Sequence, residues 1–170
     1  MNIKEIESFI SKVPDYPKPG ILFYDISTLI SHNTAFRASI DLLHKSIMKY
    51  EFDLIAGIDA RGFIFASALA YKLNKGIVMI RKKNKLPGNK MTLEYDLEYG
   101  KDTLEVNIKM DAKKILLVDD LLATGGTAEA ACKLIKKSAG IVSCFTSLIE
   151  LDFLNGKKKI KVPIETLIHY

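Results

Sequence analysis

The sequence predicts an α/β protein built on a twisted, mainly parallel sheet flanked by helices. Three observations carry this. Apolar runs of strand length alternate with helix-like segments from residue 53 onward, the order that gives right-handed crossovers between parallel strands. One run, Lys114 to Asp120 (KILLVDD), is apolar without a break before its acids, as in a strand covered on both faces. The chain of 170 residues is 48% hydrophobic, enough for one domain with a buried core and too apolar for disorder.

The elements follow in order. Ile3, Ile6, Phe9, Ile10 and Val13 share one helical face. Pro14, Pro17 and Pro19 forbid a continuing helix, and Gly20 closes this turn-rich stretch. Ile21 to Ile26 reads as a short extended piece. Phe36, Ile40, Leu43, Ile47 and Tyr50 fall at helical spacing, with Thr34 near the start of that helix. Asp53 to Asp59 (DLIAGID) reads as a buried strand, Phe63 to Leu73 as an alanine-rich helix and Gly76 to Ile80 as a strand. After Lys114 to Asp120 come a helix over Thr127 to Ser138, a strand over Ile141 to Leu151 and a short last strand over Glu165 to His169. Residues 81 to 110 break the rhythm. A charged loop with Pro87-Gly88 leads into a hairpin of Leu93 to Tyr99, a turn at Gly100-Lys101-Asp102, and Thr103 to Ile108. Long irregular stretches in compact domains are usually functional, so a mobile lid is expected, against the plainer reading of a structural hairpin.

Composition narrows the function classes. No apolar run approaches the roughly 20 residues of a membrane span, and the N-terminus lacks the layout of a signal peptide. A soluble, cytoplasmic protein is expected. The net charge of +5 fits either an ordinary surface or a site for an anionic ligand. Cys132 and Cys144 sit in apolar patterns and read as buried small hydrophobes. His32, His44 and His169 are scattered, and nothing suggests a zinc site. No nucleic-acid or membrane partner is expected.

The strongest chemical signal is ILLVDDLLATGGTAEAA, residues 115 to 131. An apolar strand ends in Asp119 and Asp120, and the loop Ala123-Thr124-Gly125-Gly126-Thr127 then opens a helix. Paired glycines let backbone approach a ligand. Their N–H groups and the helix N-terminus form an anion pocket, to which Thr124 and Thr127 add hydroxyls. The plain alternative is a strand-to-helix turn capped by Thr127. A Walker loop needs Lys then Ser or Thr after its last glycine, whereas Thr127-Ala128 follows Gly126. A dinucleotide fingerprint needs three glycines in another spacing. Adjacent strand residues point opposite ways, so one carboxylate can face a ribose while the other holds geometry. Carboxylates accept from ribose hydroxyls and reach Mg²⁺ directly or through water. Phosphate pocket and diol acceptors together describe a ribose 5-phosphate site.

This segment resembles the phosphoribosyl-pyrophosphate motif of the type I phosphoribosyltransferases. PKPGILFYDIS (17 to 27), GIDARGFIF (57 to 65), IRKKNKLPG (80 to 88), LEYDLEYGKDTLEV (93 to 106), VDDLLATGGTA (118 to 128) and LIELDFLNG (148 to 156) are similar, in this order, to the adenine phosphoribosyltransferases. The resemblance covers nearly the whole chain. It implies a type I phosphoribosyltransferase fold in a single domain, 1 to 170, with a base-holding hood over about residues 1 to 33 and a lid over about 81 to 110. It implies transfer of a 5-phosphoribosyl group from phosphoribosyl pyrophosphate to adenine, giving AMP and pyrophosphate in purine salvage, with Mg²⁺ as cofactor and a homodimer as the assembly.

The resemblance also implies site residues. Asp119, Asp120 and Ala123 to Thr127 would hold the donor's sugar phosphate, with the acids near the metal. Asp59-Ala60-Arg61-Gly62 matches the family's pyrophosphate loop, with Arg61 on pyrophosphate, where a forked cation suits phosphate oxygens. Arg81, Lys82 and Lys85 would reach pyrophosphate too, partly across the dimer interface; Lys83 completes the cluster, whose bland reading is a solvated face. Glu98 matches the lid glutamate and would handle the purine proton, with Tyr99 helping to hold the closed lid. Leu22, Phe23 and Tyr24 would hold the base, Phe23 by stacking and the other two by backbone groups, with Leu151 on the opposite wall. Tyr24 stands where the family commonly has arginine, and Asp59 where it commonly has glutamate; a backbone contact at 24 survives that change, but a salt bridge made by that arginine does not. Two other readings belong beside this one: the same chemistry on a 6-oxopurine, and a phosphoribosyl-pyrophosphate-binding regulator without catalysis.

Overall fold

The computed structural model describes residues 1–97 and 100–170. The chain divides into two compact units, Met1–Leu42 and Leu43–Tyr170.

In the first unit, α1 (Ile3–Glu7) begins with a capping box. Asn2 Oδ1 accepts the Glu5 N–H at 3.0 Å and Glu5 Oε2 accepts the Asn2 N–H at 2.8 Å, satisfying two donors that a helix start leaves over. The helix is shorter than its apolar spacing predicts. Ser11–Val13 form β1, antiparallel to β2 (Phe23–Asp25). Val13 precedes Pro14, and a residue before proline is pushed out of the α region into extended backbone. α2 (Ser27–Ser31) was not expected, because five residues are too few to show a period. Ile6, Ile10, Tyr24, Ile26 and Leu29 are this unit's buried apolar residues, with Ala35 and Ile40 of α3 (Asn33–Ile47), a helix that runs past the boundary.

The second unit is a seven-stranded sheet. Its strands are β3 (Leu54–Ile58), β4 (Gly76–Lys82), β5 (Met91–Leu97), β6 (Gly100–Val106), β7 (Lys114–Leu122), β8 (Ile141–Glu150) and β9 (Ile164–His169). Their order is β5-β6-β4-β3-β7-β8-β9. The run β4-β3-β7-β8-β9 is parallel, and β6 and β5 close one edge antiparallel. α4 (Gly62–Leu73) packs on β3 and β7, while α5 (Gly126–Lys137) packs on β5, β6 and β8. Ala56, Ile58, Ile115 and Leu117 pack in one core with Leu134 and Ile135 of α5. Ile55 and Leu116, one residue out of phase and so on the other face, are also buried. Both faces of the parallel region are therefore covered, which is why these strands are unbroken in their apolar character.

Two boundaries differ from the sequence reading in ways that matter to the site. β7 continues through Leu122, held by β8 up to Leu122↔Glu150, so Asp119 and Asp120 lie inside the strand instead of ending it. Gly100, Lys101 and Asp102, expected to turn, are strand residues paired with Leu97, Asp96 and Tyr95. The hairpin is also rooted in the main sheet through Arg81↔Glu105 and Lys82↔Leu104. Among the described residues, no helix is long and apolar enough to cross a membrane.

Candidate active site

β3 and β7 lie side by side, and the chain leaves their carboxyl ends in opposite directions, toward β4 on one side and β8 on the other. Such a reversal opens a crevice beyond the strand ends. The β3–β7 pairing ends at Gly57↔Val118, so Asp119 and Asp120 stand next to the loop leaving β3, Asp59 to Gly62. That approach is tight: a Cβ on Gly62 would sit 2.9 Å from both Asp119 Oδ1 and the Val118 carbonyl oxygen. Only glycine opens α4 without displacing the acids.

The two acids take separate tasks. Asp120 is 6% exposed, and its Oδ2 lies 2.7 Å from Arg61 Nη2. Asp119 accepts the Asp120 N–H at 2.9 Å through Oδ1 and borders the cleft of the Ala123–Thr127 loop. Loss of water pushes the Asp119 carboxyl well above its ordinary 3.8, and the neighbouring Asp120 charge adds to this. Asp120 is also raised by desolvation, with the Arg61 charge opposing. A positive group arriving beside Asp119 would relieve both effects.

The loop forms a cup of about 80 Å³ lined by Asp119 and residues 121–128, larger than the roughly 30 Å³ share of one water. The N-cap of α5 is Gly125, with φ +79° and no side-chain cap, so Thr127 does not cap the helix as the plain reading had it. Left-handed backbone of this kind favours glycine. A second constraint acts on the same residue. The segment Gly156–Lys159 is a 3-10 turn whose first residue presses against the cup. A Cβ on Gly125 would run into the Gly156 carbonyl oxygen, and one on Gly156 into the Ala123 carbonyl oxygen.

The basic residues are held by acids. Arg81 Nε contacts Asp59 Oδ2 at 2.9 Å, and the guanidinium lies over the Phe63 ring at 5.6 Å. Lys82 Nζ contacts Asp102 Oδ2 at 2.9 Å. Glu105, 1% exposed, accepts the Asn84 N–H at 3.0 Å and Lys90 Nζ at 2.9 Å, pinning the loop that carries Lys85. These contacts hold the Glu105 carboxyl below its ordinary 4.5: the Asn84 N–H does most, outweighing burial, and Lys90 adds to it. Lys85 is exposed.

The proposed base residues lie in different units. Leu22 is 44% exposed, and Phe23 meets the Tyr16 ring edge-on at 5.0 Å between centroids. The Tyr24 side chain is buried, which leaves only its backbone for the role foreseen. Leu151 is buried and donates its N–H to the Leu122 carbonyl at 2.9 Å. Glu98 and Tyr99 lie outside the described residues. Sequence reasoning missed Tyr95, Asp102, Glu105 and Gly156. Strand alternation was available for the hairpin residues; nothing local marked Gly156. Cys132 and Cys144 are free thiols, pushed up by burial to about 11 and about 12.

Fold and loops define a class: an α/β protein with a small glycine-containing cup and a carboxylate pair at the switch point of a parallel sheet. The chain belongs to the phosphoribosyltransferase family, whose model, described as a phosphoribosyl transferase domain, matches residues 25–158. It is similar to the adenine phosphoribosyltransferase of Koribacter versatilis, 47% identical over 168 residues, covering 97% of this chain and 92% of that protein. The crystal structure of adenine phosphoribosyltransferase from Thermoanaerobacter pseudethanolicus is 44% identical with a TM-score of 0.96, covering 99% of this chain and 100% of the other. The Saccharomyces cerevisiae enzyme, complexed with D-2,5-dideoxy-2,5-imino-altritol 1,6-bisphosphate and adenine, is 33% identical with a TM-score of 0.91 over 97% of each chain.

Proposed function

We propose that the chain transfers the 5-phosphoribosyl group of phosphoribosyl pyrophosphate to adenine, forming AMP and pyrophosphate in purine salvage. One observation carries the reading: the cup, the acid pair and Arg61 meet at a single switch point, with Arg61 Nη2 2.7 Å from Asp120, in a chain whose relatives at this identity are named for adenine.

The cup residues Ala123, Thr124, Gly125, Gly126 and Thr127 take the 5-phosphate, and Asp119 and Asp120 serve the ribose side. The bond from the anomeric carbon to pyrophosphate breaks, and one from that carbon to a purine ring nitrogen forms. Arg61, Arg81, Lys82 and Lys85 receive the leaving pyrophosphate, where cations in a water-poor site count most. Glu98 accepts the purine proton, and Tyr99 holds the lid. Leu22, Phe23, Tyr24 and Leu151 hold adenine. Mg²⁺ suits the donor set, since the acids offer hard oxygen ligands and the desolvated Asp119 carboxyl gains from positive charge. Among the described residues, the one cluster of three potential ligands is elsewhere, at Glu150, Asp152 and His169. The metal would therefore share Asp119 and Asp120, directly or through water, with the donor's own oxygens, neutralising charge on the pyrophosphate. A homodimer is supported by apolar surface on β4 and α4: Ile77 and Met79 are 37% and 45% exposed, and Tyr71 is 92% exposed. The free thiols suit the reducing cytoplasm.

The test is AMP formation from labelled donor and Mg²⁺, with adenine in competition against hypoxanthine, guanine and xanthine. Adenine is expected to win, because a site built for its amino group leaves a polar group unpaired against a 6-oxopurine. Faster turnover of guanine or hypoxanthine would reassign the base, and no nucleotide from any purine would favour a regulator. Glu98→Gln is expected to lower turnover by about tenfold or more while donor binding persists; unchanged turnover removes Glu98 from proton handling.

A further inference from the structure

Four side chains join the basic strand to the cup in one line. Lys82 Nζ on β4 donates to Asp102 Oδ2 on β6 at 2.9 Å. The same oxygen accepts the Tyr95 hydroxyl from β5 at 3.3 Å, and that hydroxyl lies 3.4 Å from Thr127 Oγ1 in the first turn of α5. Asp102 Oδ1 accepts the Thr103 N–H at 2.8 Å, which fixes the carboxylate. The Asp102 side chain is 20% exposed and that of Lys82 50%, so the acid is the sheltered partner and the cation the one free to turn.

A carboxylate one hydroxyl away from an anion cup opposes what the cup is built to do, because like charges repel most where water is scarce. The arrangement makes sense if the acid's task is to hold a cation there. We propose that Asp102 is a positioning residue that keeps Lys82 in reserve beside the site, and that Tyr95 couples this hold to the cup. A phosphate in the cup takes the Thr127 hydroxyl. The Tyr95 hydroxyl, which already donates to Asp102 Oδ2 at 3.3 Å and is no longer shared with Thr127, closes on that oxygen, which weakens the carboxylate's grip, and the Lys82 ammonium passes to the pyrophosphate group. The inference rests on the phosphoribosyl-pyrophosphate reading of the site.

The experiment is calorimetric binding of pyrophosphate, with Mg²⁺, to the full chain, to Asp102→Asn, to Lys82→Ala and to the double variant. Asp102→Asn is expected to tighten binding about three- to fivefold, the worth of a partly exposed ion pair, and the gain is expected to vanish in the Lys82→Ala background. A gain of equal size without Lys82 would mean that Asp102 acts only by its field, and would overturn the hold. No gain would overturn it equally. The second measurement is the effect of ribose 5-phosphate on pyrophosphate affinity. It should tighten binding in the unaltered chain and leave Tyr95→Phe unaffected, since coupling between two ligands is a free energy carried by the link between their sites. Coupling undiminished in Tyr95→Phe overturns the role of Tyr95. AMP formation by the unaltered chain, measured alongside, separates the two failures: without it the functional reading falls, whereas AMP formation with an additive Asp102–Lys82 cycle sinks only the hold.

Discussion

The two strand-to-helix junctions of the site do related work with different materials. The junction after β7, Ala123 to Gly126, is main chain against main chain: Gly125 in left-handed backbone, with the Gly156 carbonyl where a side chain would be. The junction after β3, Asp59 to Gly62, has one tight backbone approach at Gly62 and is otherwise held by side-chain charge: Asp59 on Arg81 and Arg61 on Asp120. Its Asp59–Ala60 peptide bond is cis. Backbone contacts tolerate no added atom, because neither partner can move aside. Ion pairs can exchange partners, so under the proposed function the β3 junction would lend its cations to a ligand and take them back.

Substitutions should expose that difference in a graded way. Gly125→Ala is expected to do most. It adds a Cβ that meets Gly156 and forces φ +79° on a non-glycine residue, a strain of about 1–3 kcal/mol before the clash is counted. Donor kcat/KM should fall by about a hundredfold or more, with a lower Tm; near-normal kinetics would mean that the cup is softer than its packing. Arg61→Ala comes next, and its effect depends on pH. It removes the charge that opposes the rise of the Asp120 carboxyl, so the folded form favours the protonated acid further. A carboxyl raised on folding binds more protons in the native state, so stability falls as pH rises through the window above 3.8. The stability deficit of Arg61→Ala should therefore shrink as pH is lowered toward 3.8 in denaturant melts. A deficit independent of pH would remove Asp120 as its cause. Asp59→Asn should do least, costing about 1 kcal/mol or less in denaturant melts because its pair with Arg81 is partly exposed. A collapse in stability would show that the β3 junction is as rigid as its neighbour.

Glu105 tests the same distinction inside the hairpin. Its carboxyl is held below 4.5 on folding, so its contribution is present above that value and lost as pH falls through the depressed one. Glu105→Gln should lower Tm at neutral pH and approach the unaltered chain in acid. An equal loss at every pH would assign the effect to packing alone.

The sequence by itself determined the order of strands and helices after residue 53, the buried character of β3, β7 and β8, and the acid-pair loop. Local hydrophobic period and glycine spacing are sufficient for these, because each depends on residues within one element. It overran the first helix at Val13, where the following proline decided the backbone, and it placed the hairpin turn on residues that are strand. The tertiary structure alone decided which acids meet which cations. Arg61 finds Asp120 across 59 positions of chain only because β3 and β7 are neighbours, and Lys82 finds Asp102 because β6 pairs with β4. Gly156 reaches the cup with no local pattern to announce it. Contacts between charges and between backbones have no period along the chain, so they become visible only once the sheet has set which strand ends stand side by side.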